Sequence, residues 1–203
     1  MPTLNGFTYQ YIEKNPGGHT LLLLHGTGGD ENDLLDLGAE LDPQANLLSP
    51  RGKVLEGSMP RFFRRLAPGV FDEADIVFRT DELAEFIEAA GALYQIDRSR
   101  MTAVGYSNGA NIAASLFLLR PEALDRGILL RPMLPLTPEM LPDLNGKKLL
   151  VLAGKFDELM PAESTTALAQ MLQKSGAEVE LVWQDTGHAL ISTDVRLAQD
   201  WLK

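Results

Sequence analysis

Apolar residues fall into short, nearly unbroken runs that alternate with stretches of helical period. Runs at 7–12, 20–25, 46–49, 101–106, 127–130, 149–153 and 179–183 predict strands. Between most of them the spacing turns helical. Ile112, Ala113, Leu116, Phe117 and Leu119 line up after the fourth run, and Leu83, Phe86, Ile87 and Leu93 predict a helix capped by Thr80 or Asp81. Pro161 opens another through Leu168, Met171 and Leu172 that stops at Gly176, and a last helix is expected over 192–201. Asp30, Glu31 and Asp33 suit the start of a helix, where carboxylates meet its positive end. Strands that are apolar on both faces, alternating with helices, predict an α/β fold with a mostly parallel sheet covered on both sides. In such sheets, sites lie beyond the carboxyl ends of the strands. Two stretches, 50–73 and 131–147, fit no regular element, and each comes after a predicted strand, which makes them expected pocket walls.

The chain's 203 residues suit one domain spanning 1–203, burying roughly 70% of its unfolded surface. A formal charge of −10 opposes nucleic acid or an anionic membrane as the main partner. The absence of cysteine excludes disulfides, thiolate metal sites and a cysteine nucleophile, and is compatible with a reducing compartment. No basic start precedes an apolar stretch and no apolar run approaches eighteen residues. A cytoplasmic protein with no membrane insertion is therefore expected.

The segment from Met101 to Leu119 reads strand, glycine-flanked serine, helix. Gly105 and Gly109 stand two positions either side of Ser107, where side chains would obstruct a sharp strand-to-helix turn. A glycine-flanked serine alone is also what a plain helix cap looks like. The flanking strand and helix make Ser107 a candidate nucleophile, lifted off the sheet and facing the free amides of the helix start.

A serine hydroxyl needs a base to take its proton, and histidine suits that task near neutrality. Of three histidines, His19 precedes its strand and so lies at the wrong edge, while His25 opens a glycine-rich turn and is expected to hold that loop. His188 comes after the final predicted strand and is the candidate base. A carboxylate must orient it. Asp157, in the turn leaving the strand at 149–153, is the choice; Glu158 is its nearest rival, and Asp185 is weaker because it shares the loop of His188. An oxyanion needs two backbone donors, expected from Asn108, the residue after the serine, and from Thr27 in LHGTGGDENDL. A phosphate loop fails there, because no Gly-Lys-Ser/Thr comes after it. The cluster from Arg61 to Arg65 could form an anion-recognising patch, but the favoured reading is basic side chains on a surface loop paired with nearby acids, with Met59, Phe62, Phe63 and Met133 as apolar pocket walls.

With LHGTGGDENDL, SPRG and then MPRFFRR, GYSNGA, GKFDELMP and TGH in this order, the chain resembles the α/β-hydrolases, and within them the small carboxylesterase and lysophospholipase-like branch, over nearly its whole length. The resemblance implies an α/β-hydrolase fold without a large cap domain, with nucleophile, acid and base in the order Ser107, Asp157, His188 and oxyanion amides at Thr27 and Asn108. It departs from the branch where glutamine often succeeds the nucleophile and Asn108 stands here. It implies a carboxylic ester hydrolase working through an acyl-enzyme on a small-molecule ester, with neither cofactor nor metal. Small members of the branch are monomers or dimers, so a homodimer lies within the expectation. Two other readings stand beside it: the same three residues acting on thioesters or short amides, and a non-catalytic ligand-binding protein on this fold.

Overall fold

The computed structural model describes residues 2–67 and 69–203. Along the chain the elements are β1 (Thr3–Leu4), β2 (Phe7–Ile12), β3 (Thr20–Leu24), α1 (Leu35–Leu41), β4 (Asn46–Pro50), β5 (Val54–Glu56), β6 (Met59–Arg61), β7 (Arg65–Ala67) and β8 (Val70–Phe71). Next come α2 (Glu73–Tyr94), β9 (Met101–Tyr106), α3 (Asn108–Leu119), β10 (Arg126–Leu130), β11 (Lys148–Gly154), α4 (Ala162–Lys174), β12 (Glu178–Gln184) and α5 (Ser192–Leu202). The seven expected strands are all present, joined by the short β1.

Eight strands form one sheet in the order β1-β2-β4-β3-β9-β10-β11-β12. From β4 to β12 every neighbouring pair is parallel, and only β1 and β2 depart from that arrangement. The run Leu21 to Leu24 shows why the strands lack polar alternation: Leu22 and Leu24 join the core beneath α2, α3 and α4, while Leu21 and Leu23 join the core beneath α1 and α5. Each residue is fully buried whichever way it points. The parallel arrangement delivers the carboxyl ends of β3, β9, β10, β11 and β12 to one edge. Among the described residues, no helix is long and apolar enough to cross a membrane.

Three expectations about boundaries are corrected. Helix α2 begins at Glu73, not at Thr80 or Asp81, because Asp72 supplies the cap by accepting from the Asp75 amide. Thr80 sits mid-helix and donates back to the Ile76 carbonyl at 2.7 Å, and Asp81 pairs with Arg120 at 2.6 Å. Residues 31–34 form a turn, and α1 starts only at Leu35. Glu31 is fully buried there as the two-pronged partner of Arg51, at 2.5 and 2.8 Å, so it serves an ion pair rather than a helix end. Finally, 50–73 is not wholly irregular: it carries the hairpins β5–β6 and β7–β8 and the first residue of α2. The stretch 131–147 is free of helix and strand, as expected.

Helix α3 is buried almost all round, from Asn108 to Leu118, and lies unusually near the sheet. A Cβ built on Gly109 would stand 1.9 Å from the Leu24 carbonyl oxygen, and one on Gly105 would stand 2.5 Å from the Gly109 carbonyl oxygen. Glycine at both positions is what lets helix and strands meet at backbone distance.

Gly109→Ala should cost about 3 kcal/mol or more in urea denaturation, because backbone rather than a movable side chain must yield. Tyr9 donates to or accepts from the Tyr94 hydroxyl at 2.6 Å, and burial, with that bond second, pushes its phenol up from 10.0 to about 12. The unfolded chain therefore loses this proton first, so the contribution to stability is complete below pH 10 and disappears as the pH rises to about 12. The denaturation midpoint should fall across that range, and less steeply in Tyr9→Phe.

Candidate active site

The site is assembled at the carboxyl edge by loops that each leave a different strand. Ser107 stands between β9 and α3 with φ 54° and ψ −113°, a backbone position that L-residues rarely adopt. The strain is held by the neighbours of the turn: the Ser107 amide donates to the Leu130 carbonyl at 2.9 Å, and the Asn111 amide donates to the Ser107 carbonyl at 3.0 Å. The side chain is freed to face the cleft, with 9% of the residue exposed.

The imidazole of His188, on the loop after β12, reaches it. His188 Nε2 lies 3.0 Å from Ser107 Oγ, and His188 Nδ1 lies 2.8 Å from Asp157 Oδ2. The choice between Asp157 and Glu158 is thereby decided in geometry. Asp157 Oδ1 accepts from the amides of Leu159 at 2.9 Å and Met160 at 3.1 Å, so the turn anchors one oxygen and turns the other to the ring. Glu158 is exposed and lines the cleft, and Asp185 pairs with Lys155 at 2.7 Å. A carboxylate on Nδ1 keeps the proton there, leaving Nε2 as the acceptor for the serine hydroxyl.

The other histidines do what their positions imply. His19 bridges Asp42 and Thr102, away from Ser107. His25 donates from Nδ1 to the Gly26 carbonyl at 2.7 Å and accepts the Gly52 amide on Nε2 at 3.0 Å. Burial lowers its pKa and keeps it neutral, the form these two bonds require.

Thr27 and Asn108 line the same cleft as Ser107 and His188. As the first residue of α3, Asn108 has an amide without an intrahelical partner. The loop of Thr27 is pinned by the Gly28 amide, which donates to the Pro60 carbonyl at 2.9 Å, and by Arg61, whose Nη1 donates to Thr27 Oγ1 at 2.5 Å. The next residue ties down the other side, since the Phe62 amide donates to Asn108 Oδ1 at 2.7 Å. Strand β6 and its continuation therefore brace both candidate oxyanion residues.

This splits the basic cluster in two. Arg64 pairs with Asp72 and Arg65 grips Glu56 with two bonds, as expected of surface cations. Arg61 also lies near Glu56, at 3.6 Å, but unlike the others it is buried, and the signal was its place among Met59, Pro60, Phe62 and Phe63, an apolar run in which a cation needs a reason. Sequence reading also passed over Tyr106. Its ring lies 5.3 Å from that of His188, its hydroxyl donates to the His188 carbonyl at 3.2 Å, and burial raises its pKa so that the donor keeps its proton.

The cleft encloses about 850 Å³. Met59, Phe71, Met133, Leu159 and Met160 supply its apolar lining. Phe62 and Phe63, expected as pocket walls, are not part of it: Phe62 packs on the His25 ring and Phe63 sets its edge against Phe71, both in the interior. Among the described residues, no group of three or more His, Asp or Glu side chains could hold a metal ion.

The model of the phospholipase/carboxylesterase family matches residues 11–203. The protein MhqD of Bacillus subtilis (strain 168), provisionally named a hydrolase, is 50% identical over 191 residues, which are 94% of this chain and 96% of that protein. The carboxylesterase of Bacillus cereus superposes with a TM-score of 0.93 at 44% identity, over 97% of this chain and 93% of its own. A carboxylesterase from Mesorhizobium loti gives 0.92 at 32% identity, over 100% and 96%. The sheet order, the serine turn and these likenesses agree, and the chain belongs to the phospholipase/carboxylesterase family of α/β-hydrolases.

Proposed function

We propose that the protein hydrolyses carboxylic esters of small molecules through an acyl-enzyme on Ser107. One observation carries the reading: Ser107 Oγ, His188 and Asp157 stand in series at 3.0 and 2.8 Å, on a cleft with apolar walls. Membership of a hydrolase family and the names of the carboxylesterase neighbours support the ester as the bond cleaved.

As Ser107 Oγ bonds to the ester carbonyl carbon, its proton passes to His188 Nε2, and Asp157 supports the imidazolium that forms. The carbonyl oxygen becomes an oxyanion, which the amides of Thr27 and Asn108 receive. Collapse breaks the bond to the alcohol oxygen, which takes the proton from His188 and leaves. Water then repeats the sequence: it gives a proton to His188 as its oxygen joins the acyl carbon, and Ser107 Oγ departs with that proton. The loops that carry the donors are tethered before substrate arrives, by Arg61, Pro60 and Phe62.

Turnover of short soluble esters should fall about 10⁶-fold in Ser107→Ala and in His188→Ala, and about 10⁴-fold in Asp157→Asn. Steady-state kinetics on matched ester, thioester and amide substrates measures this and ranks the bond preference. Intact-mass analysis should find one fluorophosphonate adduct, mapped to Ser107. Folded protein that remains unlabelled, or Ser107→Ala protein that keeps its turnover, refutes the reading.

A further inference from the structure

Arg131 is the first residue beyond β10 and one of the largest fully buried side chains, a guanidinium inside the protein. Its φ of 55° is a second non-glycine departure into left-handed backbone at this edge, like that of Ser107. That turn sends the side chain beneath the loop of His188. Nε donates to the Gly187 carbonyl at 3.1 Å and Nη2 to the Ala189 carbonyl at 3.1 Å, so the guanidinium grips the carbonyls of the residues on both sides of His188. Nη1 donates to the carbonyl of Leu152, in the strand that leads to Asp157, at 3.1 Å, and the Arg131 amide reaches the same oxygen at 2.8 Å. Asp194 takes the remaining donors, at 3.1 Å from Nη1 and 2.6 Å from Nη2, and also accepts the Ile191 amide at 2.8 Å. One residue back, the Leu130 carbonyl holds the Ser107 amide.

We infer that Arg131, neutralised by Asp194, is a positioning residue for the reaction: it sets the distance between the loop carrying His188 and the strand leading to Asp157. The inference rests on the proposed roles of those two residues and Ser107. Main-chain bonds tie this loop to the turn after β11 only as far as Thr186, whose carbonyl accepts the Phe156 amide at 3.0 Å, and among the described residues β12 is the last strand of the sheet, so the carbonyls from Gly187 to Ala189 are left to side-chain donors. Arginine suits the task, since its planar fork offers five donors in fixed directions, which lysine cannot reproduce. Burying a charged pair and adopting positive φ both oppose folding, and bracing α5 alone would not require bonds to Gly187 and Ala189. With the Tyr106 hydroxyl on the His188 carbonyl, three successive carbonyls of this loop are held.

The test replaces the pair by apolar residues of like volume, Arg131→Met with Asp194→Leu, an exchange that buried ion pairs commonly tolerate in folding. The folded double variant should lose tenfold to a hundredfold in kcat on a short soluble ester with KM unchanged, as an ångström of misplacement does. Its fluorophosphonate labelling should slow by the same factor, and the downfield proton resonance of His188 Nδ1–H should broaden or vanish. Wild-type kcat, labelling and resonance in that variant would overturn the inference, leaving the pair a purely structural brace. Should the double variant not fold, Arg131→Lys keeps the charge beside Asp194 and loses the fork; it should show the same pattern at about fivefold or more, and wild-type kcat there is equally fatal. A parent protein that neither labels nor turns over sinks the reading of the site instead, while the His188 resonance still reports on the clamp.

Discussion

The approach of α3 to β9 at backbone distance is the constraint on which the rest depends. With Gly105 and Gly109 between them, nothing but main chain separates helix from strands, and Ser107 must take its strained φ and ψ to join the two. The strain belongs to the turn, but it is stabilised across the sheet, through the Leu130 carbonyl and the two cores that clamp the strands from both faces. A serine on a relaxed turn would bury its hydroxyl or lose it to solvent. Here it is held still at the mouth of a cleft.

Around this fixed point the protein uses buried polar groups as spacers, all with a partner for at least one of their polar atoms, although Asn108 Nδ2 is buried without one. His25, kept neutral by burial, bridges the Gly26 loop to Gly52. Glu31 and Arg51 pair beside it. Arg61 braces Thr27, and Asn108 Oδ1 braces Phe62. Arg131 and Asp194 do the same beneath His188. A buried charge left unpaired would destabilise the fold heavily, so each pairing also specifies a distance between loops that no strand connects.

Much of this was legible in the chain. Short apolar runs with no polar alternation predicted a parallel sheet covered on both faces, and each such strand is found. The chain order of Ser107, Asp157 and His188 placed all three after strands, which is enough to bring them to one edge. The two misjudged helix starts share one cause: local signals such as Thr80 and Glu31 had other partners, and those partners outweighed the expected caps. Hairpins β5–β6 and β7–β8 were illegible because strands of two or three residues, one of them containing Pro60, carry too little periodicity to register.

The sequence by itself determined the architecture and the candidate reacting groups, because hydrophobic period and glycine spacing act over a few residues and leave a local trace. Only the tertiary structure decided which carboxylate faces His188, that Phe62 and Phe63 belong to the interior, and that Arg61 and Arg131 are buried braces rather than surface cations. Those outcomes turn on single hydrogen bonds, many of them between residues that meet only once the sheet has brought its strand ends together. No periodicity in the chain encodes a distance of about 3 Å between two loops; packed strands and directional donors set it.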